Sequence, residues 1–344
     1  MQKKLFWVLA SVFFSLLIVF SLQAQDPQLQ QQYDKKVAKA KEVRAQMEQE
    51  GISKPEYDAL KAEFDKLNEE IKSLRAKLMS EADVEKQKNK AKIYYNDGNT
   101  SLKQGDATSA LKSYEKAIQY DPQLVQAYYG KGVALSKLRR YNEALASYNK
   151  AVQINPNYSR AWLALAKLYR KLDRYGEALT ACEQAINSDS TSYKNYYELG
   201  FIYNKKKEYQ KAAEAFAKVT ELNPKYYKAY NAQGVALDKI GKADEAIAVF
   251  KKAVEVKKNY FESYFRMASI LNKLGRHKEA LLAAKNCLKY KKNYAPAAFE
   301  AGWALEKMGK FSEAVRYYRI AAKSRNWRKS AQYQIDMIKR KQGR

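Results

Sequence analysis

Lysine recurs at one fixed interval of 34 residues, and this spacing is the first feature of the sequence that could carry chemistry. The seven positions are Lys103, Lys137, Lys171, Lys205, Lys239, Lys273 and Lys307. Cations at a constant interval form a ladder that could follow an acidic ligand by electrostatic attraction. Lysine could also stand there for a structural reason, because a cation is favourable at the carboxyl end of a helix. The sequence leaves both interpretations open.

Residues that serve nucleophilic or metal chemistry are scarce. The chain of 344 residues has one histidine, His277, and two cysteines, Cys182 and Cys287. A single histidine argues against His-based catalysis and against a multi-His metal site. There is also no Gly-rich phosphate loop and no metal-ligand spacing. We therefore predict that the protein is not an enzyme, and that it uses no cofactor and no metal. The two thiols are expected to be buried core residues.

Small residues share the period of the lysine ladder. We number the positions of each repeat from 1 to 34, starting at residues 91, 125, 159, 193, 227, 261 and 295. Position 8 holds Gly98, Gly132, Ala166, Gly200, Gly234, Ala268 and Gly302; position 20 holds Ala110, Ala144, Ala178, Ala212, Ala246, Ala280 and Ala314. Position 27 holds Ala117, Ala151, Ala185, Val219, Ala253, Cys287 and Ala321. A fixed period of this length predicts a solenoid of stacked repeats.

Each repeat reads as two antiparallel helices. In residues 159–192, apolar side chains recur at helical spacing in both halves, and small residues allow the two helices to cross closely. The turn between the helices falls at position 15, where Gly105, Gly241, Gly275 and Gly309 favour a left-handed backbone. One hairpin of this size cannot bury its apolar face, so stacking is required.

The pattern of aromatic, small and proline residues resembles the tetratricopeptide repeat. The repeat 125–158 matches throughout, with Tyr128, Gly132, Leu135, Ala144, Tyr148, Ala151 and Pro156. The resemblance covers seven repeats: 91–124, 125–158, 159–192, 193–226, 227–260, 261–294 and 295–328. The last three lack the proline and have Lys258, Lys292 and Asn326 instead. The resemblance implies an all-α, right-handed superhelical α-solenoid, closed by a capping helix in residues 329–344.

The resemblance also implies that the first helices line a concave groove for a peptide or partner protein. Positions 2, 5, 6, 9, 12 and 13 would face that groove. The candidate ligand-binding residues are Tyr95, Asn99, Tyr129, Val133, Arg160, Lys167, Tyr197, Phe201, Asn204, Asn231, Phe265 and Trp303. Aromatic rings and amides suit an extended peptide. Alternatively, the rings pack between repeats.

One binding mode of the family is not expected here. Some members that bind chaperones grip a terminal carboxylate with a lysine at position 5 and an asparagine at position 9. In this chain Asn99 matches, but Tyr95 stands in place of the lysine, and of the later members only Arg160 fits. We therefore expect a different ligand.

The amino terminus has the features of an export signal. Lys3 and Lys4 precede a low-polarity run from Leu5 to Leu22, and Ala24 offers a cleavage point. The alternative is an uncleaved membrane anchor. We expect an exported protein of the periplasm or cell envelope of a Gram-negative bacterium, or one that is anchored in the inner membrane facing the periplasm, or secreted.

Residues 25–90 are expected to form a helical coiled-coil region. A capping box at Ser53-Lys54-Pro55-Glu56 starts a helix with a heptad seam of Tyr57, Leu60, Phe64, Leu67, Ile71, Leu74 and Leu78. The seam could join two chains, and the opposite charges of Glu70 and Arg75 favour this self-association through residues 57–78. It could instead pack on residues 27–49 of the same chain as a hairpin.

The positive charge is uneven. The net charge is +27, yet residues 25–90 are neutral, and residues 251–344 carry 24 basic against 7 acidic side chains. Much of this excess falls on second helices, where it would form a basic outer edge. The prediction is a non-enzymatic protein–protein interaction scaffold or adaptor that binds a peptide or partner protein in the groove, and the basic ladder would suit an acidic partner. The alternative is a structural protein held to an anionic membrane or polysaccharide by its basic edge. Nucleic acid is not expected as a partner.

Overall fold

The computed structural model describes residues 27–49, 51–79 and 81–343. These residues form seventeen α-helices and no strand. The predicted export signal, residues 1–24, lies outside the described residues. Within the described part of the chain, no helix combines the length and the apolar character needed to span a membrane.

The chain divides into two compact units, Met1–Pro156 and Asn157–Arg344, which are described separately. The first unit contains α1 (Pro27–Met47), α2 (Lys54–Leu78), α3 (Glu81–Gln104), α4 (Ala107–Tyr120), α5 (Val125–Lys137) and α6 (Tyr141–Ile154). The second unit contains α7 (Ser159–Lys171), α8 (Tyr175–Ser188), α9 (Tyr193–Lys205), α10 (Tyr209–Leu222), α11 (Tyr227–Lys239), α12 (Ala243–Val256), α13 (Phe261–Lys273), α14 (His277–Tyr290), α15 (Ala295–Lys307), α16 (Phe311–Ala322) and α17 (Arg328–Lys341).

From α3 to α16 the helices alternate in role. Odd-numbered helices are the first helices of the predicted repeats, and even-numbered helices are the second helices. Within each unit, each first helix packs on the second helix of its own repeat, and that second helix packs on the next first helix. Both units are therefore stacks of helical hairpins, the fold class of α-solenoids.

The helices α1 and α2 form an intrachain hairpin. Ala40, Val43 and Met47 of α1 pack against Phe64 and Leu67 of α2 in one buried cluster. The heptad seam of α2 therefore lies on its own chain, which is the hairpin interpretation of the sequence.

Charged residues follow the same arrangement. Glu70, which the sequence paired with a residue of a second chain, forms an ion pair with Lys36 of α1 at 2.5 Å. The Lys36 ammonium holds the pKa of the Glu70 carboxyl below its ordinary value.

The capping-box prediction at the start of α2 is wrong in its detail. Ser53 is the N-cap residue and proline stands in the first turn, as expected. The Ser53 side chain, however, makes no capping hydrogen bond. Proline has no amide hydrogen, and helix-compatible dihedral angles at that residue already favour the start of the helix. The helix begins at the predicted place without the serine bond.

The first helix of the first repeat is longer than the others. The helix α3 starts at Glu81 and runs without a break across residues 90 and 91, where the repeats were predicted to begin. The repeat array is thus preceded by a continuous extension of its own first helix.

The small-residue positions lie where helices meet. The seven alanines at position 20 are fully buried, and so are all seven residues at position 27. Close helix crossing needs small side chains at such points, and the structure confirms this reading of the period.

The turn at position 15 is left-handed in all seven repeats. The four glycines there have positive φ, for example 81° at Gly241. The other three repeats place Arg139, Asp173 and Lys207 in the same conformation, with φ of 61°, 57° and 62°. The packing of the two helices therefore imposes this backbone conformation even where glycine is absent.

The last repeat is covered by a terminal helix. Ile335 and Ile338 of α17 are buried against Tyr318 and Ala321 of α16. The apolar face that the last hairpin would expose is thereby removed from water.

Candidate binding face of the first helices

First helices form the inner layer of each stack. Successive first helices pack against one another more closely than successive second helices do: α3 meets α5 in the first unit, and α7 meets α9, α11 meets α13 and α13 meets α15 in the second. A stack whose first helices converge has its concave side on that layer. The candidate residues from position 2 to position 13 therefore lie on the face formed by these helices.

The predicted lysine ladder is exposed to solvent along its whole length. Lys103 and Lys137 belong to the first unit, and the other five ladder lysines belong to the second. Each stands in the last turn of its first helix, where the carboxyl end of the helix dipole favours a cation. Their exposure leaves these side chains accessible to a ligand. Their place at the helix end is a second reason why lysine recurs at position 13.

The most exposed side chains of the first helices in the second unit are all cations. Across α7, α9, α11, α13 and α15, every fully exposed side chain is a lysine or an arginine: Arg160, Lys167, Lys171, Lys194, Lys205, Lys228, Lys239, Lys273 and Lys307. Arg160, Lys167 and the ladder lysines were predicted from the sequence, whereas Lys194 and Lys228 were not. Both stand at position 2, and reading that position along the repeats would have found them.

Aromatic rings at position 5 are half-buried rather than open. Tyr95, Tyr129 and Tyr197 each lean on the aromatic ring at position 24 of their own repeat, with centroids 5.7–6.0 Å apart. Phe265 packs on Tyr294 instead, at 5.6 Å. These rings therefore serve the packing between helices and also contribute their remaining surface to the face.

The two aromatic candidates of α9 lie together. Tyr197 and Phe201 meet edge to face with centroids 4.7 Å apart, and Phe201 also lies against Phe216 of α10. The guanidinium of Arg170 stands 5.6 Å from the centroid of the Phe201 ring. The remaining half-buried candidates are distributed over separate repeats: Val133, Asn204 and Trp303.

Two candidate asparagines already have hydrogen bonds within the chain. Asn99 Oδ1 accepts from the hydroxyl of Tyr114 at 2.8 Å, and Asn231 Oδ1 accepts from Ser263 at 3.1 Å in the next repeat. Their amide oxygens stabilise the stack, so a ligand would meet their amide nitrogens.

Position 6 departs from the expectation that it faces the groove in four of the seven repeats. Gly130, Glu198, Ala232 and Glu300 are buried there, whereas Asn96 is exposed and Ala164 and Arg266 are half-buried. The two buried carboxylates have their partners on the preceding repeat.

One of these buried carboxylates is held by an arginine. Glu198 of α9, with its side chain 4% exposed, forms an ion pair with Arg170 at position 12 of the preceding repeat. The pair ties α7 to α9 and neutralises the carboxylate on this part of the face. Its burial removes an acidic charge from an otherwise basic surface.

The second buried carboxylate is held by an amide. Asn272 Nδ2 donates to Glu300 Oε2 at 2.8 Å and to the Glu300 backbone oxygen at 2.9 Å. Asn272 Oδ1 lies 3.2 Å from Nδ1 of His277. Burial raises the pKa of the Glu300 carboxyl, against the smaller opposing influence of Asn272, Ser269 and Lys273.

The cysteines are the buried thiols that the sequence predicted. Both are fully buried and unpaired with each other. Burial raises the pKa of each thiol to about 12, which keeps it protonated and unreactive at neutral pH. In the described part of the chain, no group of three acidic, histidine or cysteine side chains could hold a metal ion.

Two lysines that replace the usual Asp or Asn before the proline have a structural role. Lys257 donates to the hydroxyl of Tyr227 at 2.9 Å and stands 4.4 Å from that ring's centroid. One repeat further, Lys291 stands 4.1 Å from the centroid of the Phe261 ring. These contacts hold the helix ends by cation–π attraction, so two of the cations in residues 251–344 are engaged within the fold.

The stacked helical hairpins of both units define the class of helical repeat proteins. Models of the tetratricopeptide repeat match residues 98–139, 125–158, 147–180, 197–260 and 261–294. The chain belongs to the tetratricopeptide repeat family. No curated protein matches the sequence.

Solved structures of similar fold include bacterial repeat proteins. A tetratricopeptide repeat protein from Parabacteroides merdae is 17% identical, with a TM-score of 0.50 over 73% of this chain and 99% of its own. PilF of Pseudomonas aeruginosa is 19% identical, with a TM-score of 0.50 over 61% of this chain and 96% of its own. A MamA protein is 29% identical, with a TM-score of 0.45 over 49% and 92% of the two chains. The first two share the fold.

Membership in this family fixes the general role of the chain. Its repeats support a protein-interaction scaffold, and repeats of this kind are generally not catalytic. The partner type is accordingly a protein or a peptide.

Proposed function

We propose that this protein binds a peptide or a segment of a partner protein on the face formed by its first helices, and so acts as a scaffold or adaptor without catalysis. The observation that carries the proposal is the combination of half-buried rings and exposed cations on that face. Rings such as Tyr197 and Phe201 offer apolar area at little conformational cost, because neighbouring rings already hold them in place.

The proposed setting is the cell envelope, with the protein exported by the segment 1–24. Support comes from the sequence of that segment, a basic start followed by an apolar run and Ala24. Self-association through residues 57–78 stays a prediction; it would require the α1–α2 hairpin to open, because Phe64 and Leu67 are buried within it.

Affinity capture from the source cell tests the binding face. Three single variants each remove one half-buried ring from the face: Tyr129→Ala, Tyr197→Ala and Phe265→Ala. Tyr333→Ala is the control, because it removes a ring of similar size from α17, where Tyr333 is 62% exposed. We expect each face variant that keeps its helical circular dichroism to lose partners that the control retains. Identical partners for all four proteins would contradict the proposal.

A second candidate function rests on α14. Leu282 is 62% exposed, and Lys278, Lys285 and Lys289 share its helix face at spacings of four and three residues. An exposed apolar side chain among cations suits contact with an anionic membrane surface. Vesicles of phosphatidylglycerol should then bind the protein, and those of phosphatidylcholine should not. The double variant Lys285→Glu with Lys289→Glu should abolish this binding. Unchanged binding would exclude α14 as the membrane-binding surface.

A further inference from the structure

The cations on the first helices of repeats three to five stand in two lines. Arg160, Lys194 and Lys228 occupy position 2, near the amino ends of α7, α9 and α11. The three ladder lysines at position 13 occupy the carboxyl ends of the same helices. Eleven residues of helix separate the two lines, which is about 16 Å.

Between the lines lie Tyr197, Phe201 and Val235, each half-buried, with Lys167 exposed among them. The surface of these three helices therefore has a partly apolar centre between two lines of cations. First helices that pack against each other are about 10 Å apart, so each line offers about one cation for every three residues of an extended chain.

Carboxylates are absent from the fully exposed side chains of this surface, although Asp238 on α11, Glu262 on α13 and Glu306 on α15 are half-buried there. In the second unit, Glu198 and Glu300 are buried in contacts with the preceding repeat, and none of the exposed side chains on the first helices is acidic. The exposed second-helix residues differ, because they mix signs: α10 exposes Lys211 beside Glu214, and α12 exposes Asp244 and Glu245 beside Lys251 and Lys252. The fully exposed side chains of the two layers therefore differ in charge.

We propose that the first-helix face of repeats three to five binds an acidic segment of a partner protein, with carboxylates on both sides of an apolar centre. This inference rests on the proposed function and specifies the partner's chemistry. The two cation lines attract the carboxylates, and the half-buried rings accept the apolar side chains between them. Because all of these cations are solvent-exposed, the attraction weakens as salt is added.

Fluorescence anisotropy with the full-length protein tests this proposal. The probe is a fluorescein-labelled peptide of twelve residues composed of Glu, Leu and Gly, and a second probe has Gln in place of every Glu. We expect saturable binding of the Glu probe, about tenfold or more weaker binding of the Gln probe, and a decline of the Glu affinity between 50 and 300 mM salt.

A pair of charge-matched variants locates the binding. Lys194→Glu with Lys228→Glu reverses two cations of the position-2 line, and Lys310→Glu with Lys339→Glu reverses two exposed cations away from the face. The first double variant should bind the Glu probe about tenfold or more weaker than wild type, and the second should remain within about threefold. Circular dichroism confirms that both stay folded.

Several outcomes would overturn the proposal. These are equal binding of the two probes, equal losses in the two double variants, or tighter binding of a twelve-nucleotide DNA than of the Glu probe. Partner capture that depends on Tyr197 but is insensitive to Lys194→Glu with Lys228→Glu would leave the proposed function standing and reject only the acidic ligand.

Discussion

The ring of Phe250 on α12 lies against Gly234 on α11, so closely that a Cβ atom at residue 234 would stand 2.7 Å from the ring's Cε1. The same contact joins position 8 to position 24 in five repeats: Gly98 with Tyr114, Gly132 with Tyr148, Gly200 with Phe216, Gly234 with Phe250, and Gly302 with Tyr318. The two repeats with alanine at position 8, Ala166 and Ala268, have the small residues Cys182 and Ala284 at position 24. The side chains at positions 8 and 24 thus fill the same space, so a larger residue at one requires a smaller residue at the other.

This shared volume predicts the effect of filling it. Gly234→Ala should lower the free energy of unfolding by about 1–3 kcal/mol, because the added methyl group overlaps the ring and one helix must shift. Urea unfolding followed by circular dichroism measures the change.

A double-mutant cycle separates overlap from helix propensity. Phe250→Ala alone leaves a cavity, and Gly234→Ala should be harmless or favourable in its presence, since the pair then matches Ala268 with Ala284. We expect a coupling of about 0.5–3 kcal/mol between the two changes. Additive effects would show that the ring does not depend on the glycine.

Alanine substitutions at two other glycines should change the stability of the protein in opposite directions. Gly241 has φ of 81° and Gly176 has a helical backbone near the start of α8, and a Cβ would meet no atom within 4 Å at either site. Gly241→Ala should cost about 1 kcal/mol, because only the left-handed backbone opposes it, whereas Gly176→Ala should stabilise by about 0.5 kcal/mol. Equal effects on the melting temperature would contradict the account of position 15.

The fold was largely predictable from the period because small residues at positions 8, 20 and 27 act through sterics alone. Glycine at position 15 likewise predicted the left-handed turn in four repeats. Arg139, Asp173 and Lys207 gave no such signal, because the helix packing around them, rather than their own preference, sets their backbone. The α1–α2 hairpin was one of two interpretations, since a heptad seam packs equally well on its own chain or on another.

The binding face was predictable only in part. Positions 5, 9 and 13 were predicted to face the groove, and their role in binding stays a prediction. The half-burial of the rings at position 5 depends on partners at positions 24 and 34. The burial of Glu198 and Glu300 was not foreseeable, because a carboxylate normally faces solvent. Their partners, Arg170 and Asn272, stand 28 residues earlier in sequence and meet them only through stacking.

The buried ion pair should matter far more than an exposed one. Arg170→Ala leaves the Glu198 carboxylate buried without its cation and should cost about 3 kcal/mol of unfolding free energy. Arg174→Ala is the control, because it removes an exposed ion pair with Glu177, three residues further along the chain. It should lower the free energy of unfolding by less than about 1 kcal/mol. Similar costs in urea unfolding would contradict the assignment of Glu198 as an inter-repeat tie.

The Glu300 carboxyl should make stability depend on pH. Burial raises its pKa, so the folded protein holds the proton more tightly than the unfolded chain does. Its contribution is therefore favourable at acidic pH and is lost as pH rises from the ordinary pKa through the raised one.

Glu300→Gln isolates this contribution, because glutamine keeps an acceptor for Asn272 and carries no charge. The variant should melt a few degrees higher than wild type at pH 7, and the difference should shrink at pH 4. A difference that is independent of pH would show that the carboxyl is not desolvated in the folded protein.

Site-specific photocrosslinking in the source cell tests the central claim, that the first helices hold the partner. A benzophenone amino acid is placed at Phe201 on α9 in one protein and at Tyr333 on α17 in the other. We expect a crosslinked partner protein from residue 201 and none from residue 333. Crosslinking from residue 333 alone would contradict it.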